Sequence, residues 1–199
     1  MRTRGVLVLV GVAMFVSACG GSSKATPSTS SITVSGAPSS ASADDIIGVV
    51  SIPAADKATD QAHVSGKVTY ATSPPTRGPH NPVWQNCGYY TKAVANENAV
   101  HALEHGAVWI TYTDNVDTAA RATLVGLAKA NNYLLVTPYV DNPAPFVLSA
   151  WGRQLAVTTI DDPRVAQFIA KYVKHGPEPG APCSGALGIP PDRPSTLVS

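Results

Sequence analysis

The sequence predicts an α+β domain: a small mixed β-sheet with two main helices, mostly on one face. Three observations point there. Of 199 residues, 44% are hydrophobic and 14% charged, which suits one domain with a real core and not a multidomain machine. The elements run strand, loop, short helix or turn, strand, helix, strand, strand, helix, and a strand–helix–strand unit implies a crossover between parallel strands. The five-residue link Asp141-Asn142-Pro143-Ala144-Pro145 then implies an antiparallel hairpin between the strands it joins.

Each element has its own signal. A strand is expected within Ile46–Ile52, and Lys67-Val68-Thr69-Tyr70 alternates as a second. Residues 71–90 are rich in Pro and Gly and read as a loop. Ala107–Thr113 is β-branched and aromatic, hence a strand. Asp117 is a good N-cap for a helix over 118–131, with Ala120, Leu124, Leu127 and Ala128 on one face. Tyr133–Val140 is the next strand. After the link, Phe146–Trp151 continues extended to Thr159. The last helix is the best punctuated. Asp162 caps it, Pro163 starts it, Lys171, Lys174 and His175 fill its last turn, and Gly176-Pro177 stops it. Val165, Phe168, Ile169 and Tyr172 form its apolar face.

The beginning of the chain carries an address. Met1-Arg2-Thr3-Arg4 is basic, Gly5–Val16 is apolar, and Val16-Ser17-Ala18-Cys19 ends in small residues. That is the layout of a secretory signal over residues 1–18. The apolar run of about 12 residues is well short of the roughly 20 that span a bilayer. Val-Ser-Ala-Cys resembles a bacterial lipobox, whose cysteine receives acyl chains such as palmitate and becomes the first mature residue. An ordinary secretory signal with a chance cysteine is the alternative. The expectation is a protein on the extracytoplasmic face of the cell membrane, anchored by lipid at Cys19 and not crossing the bilayer. Residues 19–43 are Ser, Thr, Pro, Gly and Ala with almost no large side chains, and read as a disordered tether spanning about 25–30 Å on average. The folded domain is expected over 44–183, with a flexible tail over 184–199.

Cysteine parity fits this address. The chain holds three cysteines. With Cys19 lipidated, Cys87 and Cys183 remain as a pair in an oxidising compartment. Their disulfide would close a loop of nearly a hundred residues, for about 4–5 kcal/mol on the chain-entropy account. Two reduced cysteines are the alternative. The net charge of +1, without a basic stripe, argues against nucleic acid as a partner.

The chemistry concentrates in the histidines. Three of the five lie close together in sequence: His80 in Gly78-Pro79-His80-Asn81, and His101 and His105 in Val100-His101-Ala102-Leu103-Glu104-His105-Gly106. At i and i+4, His101 and His105 share a face whether the backbone is helical or extended. The Pro-flanked loop can deliver His80 as a third imidazole, with Glu104 adjacent. Such a set suits one zinc or copper(II) ion. Both methionines, Met1 and Met14, lie in the signal, and an oxidised cysteine pair offers no thiolate. A copper(I) carrier or blue-copper site is therefore disfavoured.

Two other readings stay open. In one, the histidines are structural, Glu104 pairs with Arg77 or Arg153, and the domain is an envelope scaffold for an unknown protein partner. In the other, a minor one, His101-Ala-Leu-Glu104-His105 matches the inverted zinc-protease pattern H-x-x-E-H, with Glu178 as the distant acidic ligand of a metal-dependent hydrolase. Against it, Gly106 follows at once, where that chemistry needs a sustained helix. No G-x-S-x-G elbow, P-loop or dinucleotide fingerprint is present, so no catalytic residue is assigned. His175 reads as a helix C-terminal cation, His63 as a strand-edge residue, and Trp84, Trp109 and Trp151 as core.

Pro74-Pro75-Thr76-Arg77-Gly78-Pro79-His80, Trp84, Gly88, Val100–Gly106, Pro138-Tyr139 and Ser149-Ala150-Trp151-Gly152 resemble the domain of unknown function 3105 family over most of residues 60–180. The block around His101 and His105 is the most specific piece. The resemblance implies an exported or membrane-attached bacterial protein and a single fold, and it implies no activity. Where members often carry Ser or Thr before Gly-Pro-His, this chain has Arg77.

Overall fold

A computed structural model describes residues 46–56 and 58–188. The signal at 1–18, the lipidation site Cys19, the tether and tail residues 189–199 lie outside the described residues. Among the described residues nine elements follow in order: β1 (Val50–Ser51), β2 (Gly88–Tyr89), α1 (Asn96–Glu104), β3 (Val108–Tyr112), α2 (Thr118–Ala130), β4 (Leu134–Pro138), β5 (Phe146–Ala150), β6 (Arg153–Val157) and α3 (Pro163–Tyr172). The six strands make one mixed sheet in the order β1-β6-β5-β3-β4-β2. This is an α+β fold.

Alternation along the strands builds two cores, one on each face of the sheet. Val108, Ile110 and Tyr112 of β3 pack with Leu134 and Val136 of β4 under α2 and α3, which contribute Leu124, Ala128, Val165 and Phe168. Trp109 and Leu135 point the other way, against Ala99, Ala102 and Leu103 of α1 and the cysteine pair. The two long helices thus share one face, and short α1 covers the other. Burying each such Leu, Ile or Phe contributes about 1.5–3 kcal/mol. On the α1 side the Trp109 indole donates to Thr137 Oγ1 at 3.0 Å.

Helix ends follow local chemistry. The Asp117 carboxylate accepts from the Ala120 amide at 2.7 Å and Asp162 accepts from the Arg164 amide at 2.9 Å, satisfying amides that the first turn leaves open. Pro163 begins α3, as expected.

Three local expectations are corrected. The strand β3 and its neighbour β4 are parallel, joined through α2, but the link 141–145 does not make a hairpin of β4 and β5. Instead β5 pairs antiparallel with β3, because β2 already occupies the other edge of β4. Asn142 holds the link over the end of β3, donating to the carbonyls of Thr111 at 3.3 Å and Ala144 at 2.8 Å. The tight hairpin is β5–β6, turned at Trp151-Gly152 with Gly152 at φ +66°. Lys67–Tyr70 is not a strand: its Val68 amide donates to the Glu97 carboxylate at 3.0 Å instead of to a neighbouring strand. Of the loop at 71–90, Gly88–Tyr89 joins the sheet as β2.

The chain after α3 returns to the end of α1. The Lys174 amide donates to the Gly106 carbonyl at 2.7 Å and the Glu178 amide to the Glu104 carbonyl at 3.1 Å. This approach needs two glycines. Gly106 lies at φ +88°, where a Cβ would fall 2.7 Å from Lys174 Cα, and a Cβ on Gly176 would overlap the Glu104 carbonyl oxygen. Cys183 then bonds to Cys87 as a disulfide, with Cα atoms 5.3 Å apart. Contacts extend past it, the Asn86 amide donating to the Leu187 carbonyl at 2.9 Å.

Gly176→Ala is expected to lower stability by about 1–3 kcal/mol, as overpacking against backbone does. Gly126→Ala, in α2 with nothing within 4 Å of the added Cβ, should instead raise it by about 0.5–1 kcal/mol. Urea denaturation of both variants beside the unchanged protein checks the contrast.

Candidate metal centre

Four segments meet at the C-terminal half of α1. The helix is short yet buried along its length, from Glu97 to Glu104, so its polar side chains point into the protein. The loop before it lies alongside, with the Asn81 amide donating to the Glu97 carbonyl at 3.3 Å and the Gln85 amide to the Asn98 carbonyl at 2.9 Å. That places the His80 ring against the helix. A one-residue bridge between His63 and His80 brings in the upstream segment. The returning chain 176–183 supplies the fourth wall.

Each of the three predicted histidines is held by a backbone carbonyl. His80 Nδ1 lies 2.8 Å from the Gly78 oxygen, His101 Nδ1 2.7 Å from that of Asn81, and His105 Nδ1 2.7 Å from that of Pro182. Carbonyls only accept, so each Nδ1 carries the proton and donates it. In a neutral ring this leaves Nε2 with a lone pair, aimed inward. It is the arrangement in which histidines ligate metals, oriented by the bond on the far nitrogen.

The inward nitrogens meet one another and two carboxylates. His101 Nε2 and His105 Nε2 are 2.9 Å apart, and two lone pairs at that distance repel unless a proton or a metal ion sits with them. His80 Nε2 lies 2.9 Å from Glu104 Oε2, so both nitrogens of that ring face acceptors. His63 Nε2 is 3.8 Å from the same oxygen, and Gln61 donates to Glu104 Oε1 at 3.0 Å. On the other side His105 Nε2 is 3.3 Å from Glu178 Oε2.

Two ligand sets result. The donor atoms of His63, His80, His101 and Glu104 lie within 4.8 Å of one another, as do those of His101, His105 and Glu178. Around one zinc ion, tetrahedral donors at about 2.0–2.1 Å would stand about 3.3 Å apart, so small side-chain movements would close either set. The predicted residues His80, His101 and Glu104 share the first set, whereas His105 falls in the second. His63, read from the sequence as a strand-edge residue, joins the first. No spacing pattern links it to His80; the bridge between them is a tertiary contact.

Burial sets the charge states. His101 is held down at about 4 by burial, reinforced by His105, His80 and His63 nearby and opposed only by its bond to Asn81. Burial alone would raise the Glu104 carboxyl, but the bonds from His80 and Gln61 outweigh it and hold it below the usual carboxylate range. A neutral imidazole beside an ionised carboxylate is the state a cation needs.

Other residues take supporting places. Glu104 does not pair with Arg77 or Arg153. Arg77 instead donates from Nε to Asp60 at 2.9 Å and from Nη1 to the Ile52 carbonyl at 3.1 Å, which pins the loop that carries His80. Trp109 is core, but Trp84 and Trp151 wall the cluster: Trp84 lies 4.7 Å from His105 and Trp151 5.9 Å from His80, ring centre to ring centre. His175 stays outside it, exposed, with Nδ1 on the Val173 carbonyl.

A protein family described as "Protein of unknown function (DUF3105)" matches residues 63–185, a span that contains both ligand sets. No curated protein and no solved structure matches.

The titrations predict a pH dependence of stability for protein held metal-free by chelator. Over pH about 4 to 6.5 the unfolded chain binds a proton at His101 that the folded protein does not, so stability falls as pH drops through that window. Glu104, lowered on folding, adds a further loss as pH falls below its unfolded value toward its folded one. Urea midpoints across the window should decline, and His101→Gln should flatten the decline above about pH 4.5. An unchanged slope in that variant would remove His101 as its source.

Proposed function

The chain belongs to the family described as protein of unknown function (DUF3105), and from that premise we propose a lipid-anchored extracytoplasmic protein whose domain binds one zinc or copper(II) ion. The observation that carries the metal reading is the fixed inward aim of the Nε2 atoms. His80 and His101 are anchored through Nδ1 beside a buried carboxylate, with His63 at the open side. Three imidazoles and one carboxylate suit zinc or copper(II), and with the cysteines joined in a disulfide no thiolate competes for a softer ion.

Binding is favoured over hydrolysis. A metal-dependent hydrolase needs a carboxylate free to take a proton from water. Glu104 would itself ligate the ion beside His63, His80 and His101, and its other oxygen accepts from Gln61 at 3.0 Å, so the Glu of the H-x-x-E-H pattern is engaged. The anchor reading rests on the basic, apolar and small-residue run ending at Cys19. Among the described residues no helix is long and apolar enough to cross a membrane.

Calorimetry and elemental analysis should find one ion per chain. His101→Ala should weaken binding roughly 100-fold or more, beyond what loss of a merely orienting group does, whereas His175→Ala should leave it unchanged. Equal and negligible metal in all three proteins would make the histidines structural and favour a scaffold.

Cys19→Ala should move the protein from the membrane fraction to the soluble one. Stable anchoring needs more than one acyl chain, at about 0.8 kcal/mol per buried methylene. Retention of the variant on membranes after a carbonate wash would defeat the anchor.

A further inference from the structure

We propose that His105 and Glu178 form an outer station through which a divalent cation enters and leaves the inner site at His63, His80, His101 and Glu104. The inference rests on the metal-binding reading above and goes beyond it, from a site to a route. The two ligand sets have one member in common, His101. Its Nδ1 is committed to the Asn81 carbonyl, so Nε2 alone is free to ligate, and one lone pair serves one ion at a time. The sets are therefore alternative positions for a single ion, and His101 is the ligand that an ion keeps while it moves between them.

The order of the stations follows from exposure and charge. The Glu104 side chain is 1% exposed; those of Glu178 and His63 are equally exposed at 46%, and of these two only Glu178 offers the negative charge that draws a cation. An arriving aqua-cation therefore meets Glu178 first and sheds water in steps, exchanging it for the Glu178 carboxylate and His105 before it reaches the buried pair of His80 and Glu104. A single-step entry would demand full dehydration at once. The outer station is built, not incidental. Its imidazole is fixed by the Pro182 carbonyl, and its carboxylate stands on a residue whose amide donates to the Glu104 carbonyl. Pro182 and Glu178 belong to the segment that Cys183 ties to Cys87.

The test is stopped-flow mixing of the metal-free folded protein with copper(II), read by tryptophan emission. Trp84 beside His105 and Trp151 beside His80 are placed to be quenched. Glu178→Gln should slow loading, and chelator-driven unloading with it, by about tenfold each, the low end of what charge at the mouth of a site contributes to association. Glu178→Asp should recover part of the rate. Loading at the unchanged rate in Glu178→Gln would overturn the route and mean entry past His63. Faster unloading with unchanged loading would also overturn it, by making Glu178 a ligand of one final site. Two ions bound per chain would overturn the alternation at His101. If the unchanged protein takes up no copper(II) or zinc at all, the binding reading itself falls. That outcome is distinct from the other three.

Discussion

A carboxylate removed from water in the middle of a protein demands partners, since an unpaired buried charge costs several kcal/mol. Glu104 is such a group, and much of the described structure is arranged around it. Its side chain accepts from His80 and Gln61, which lie in two different upstream segments. Its backbone oxygen accepts from the amide of Glu178, in a third. One residue at the end of α1 thus organises chain from before, beside and after the helix. His63 and His80 converge on His101 and His105 at the end of α1 as a consequence, because the two upstream segments that satisfy Glu104 carry them.

The sheet gives this node a fixed platform. Leu103, one residue earlier, is fully buried against Trp109 and Leu135, so α1 cannot turn to release Glu104 without opening that core. Gly106 lets the chain leave the helix and enter β3 at once, while leaving room for the backbone of Lys174 to pass. The disulfide closes the arrangement from the far side. Cys183 lies beside Pro182, whose carbonyl orients His105, so the covalent tie and the hydrogen bond hold the same short stretch. Two chemically different constraints therefore converge on the position of one imidazole.

The secondary structure was largely legible where local chemistry is strong. The Asp117 and Asp162 caps, Pro163, the apolar faces of α2 and α3 and the β-branched run in β3 all lie where the pattern places them. Legibility failed where partners are remote. Lys67–Tyr70 has the alternation of a strand, but Glu97, about thirty positions on, takes the Val68 amide. The link 141–145 has the length of a hairpin, yet strand order depends on which edges are already filled, and β2 had filled that of β4. The i, i+4 spacing of His101 and His105 signalled that two imidazoles could meet. Nothing in their spacing set His63 beside Glu104, or sent Arg77 to Asp60.

What the sequence by itself determined is the α+β class, the capped starts of the two main helices and the pairing of His101 with His105, because caps, periodicity and helical spacing act over a few residues; the end of α3 at Tyr172, before Lys174 and His175, was not among them. The resemblance in the block around those histidines identified the family as well. The tertiary structure alone decided which carbonyl orients each ring, which nitrogen points inward, and that His101 belongs to two candidate ligand sets at once. Those outcomes hang on contacts between residues as far apart as Pro182 and His105, and such contacts exist only after the sheet, the glycine crossing and the disulfide have brought distant chain together. Local preference selects the residues, and long-range closure gives them their direction.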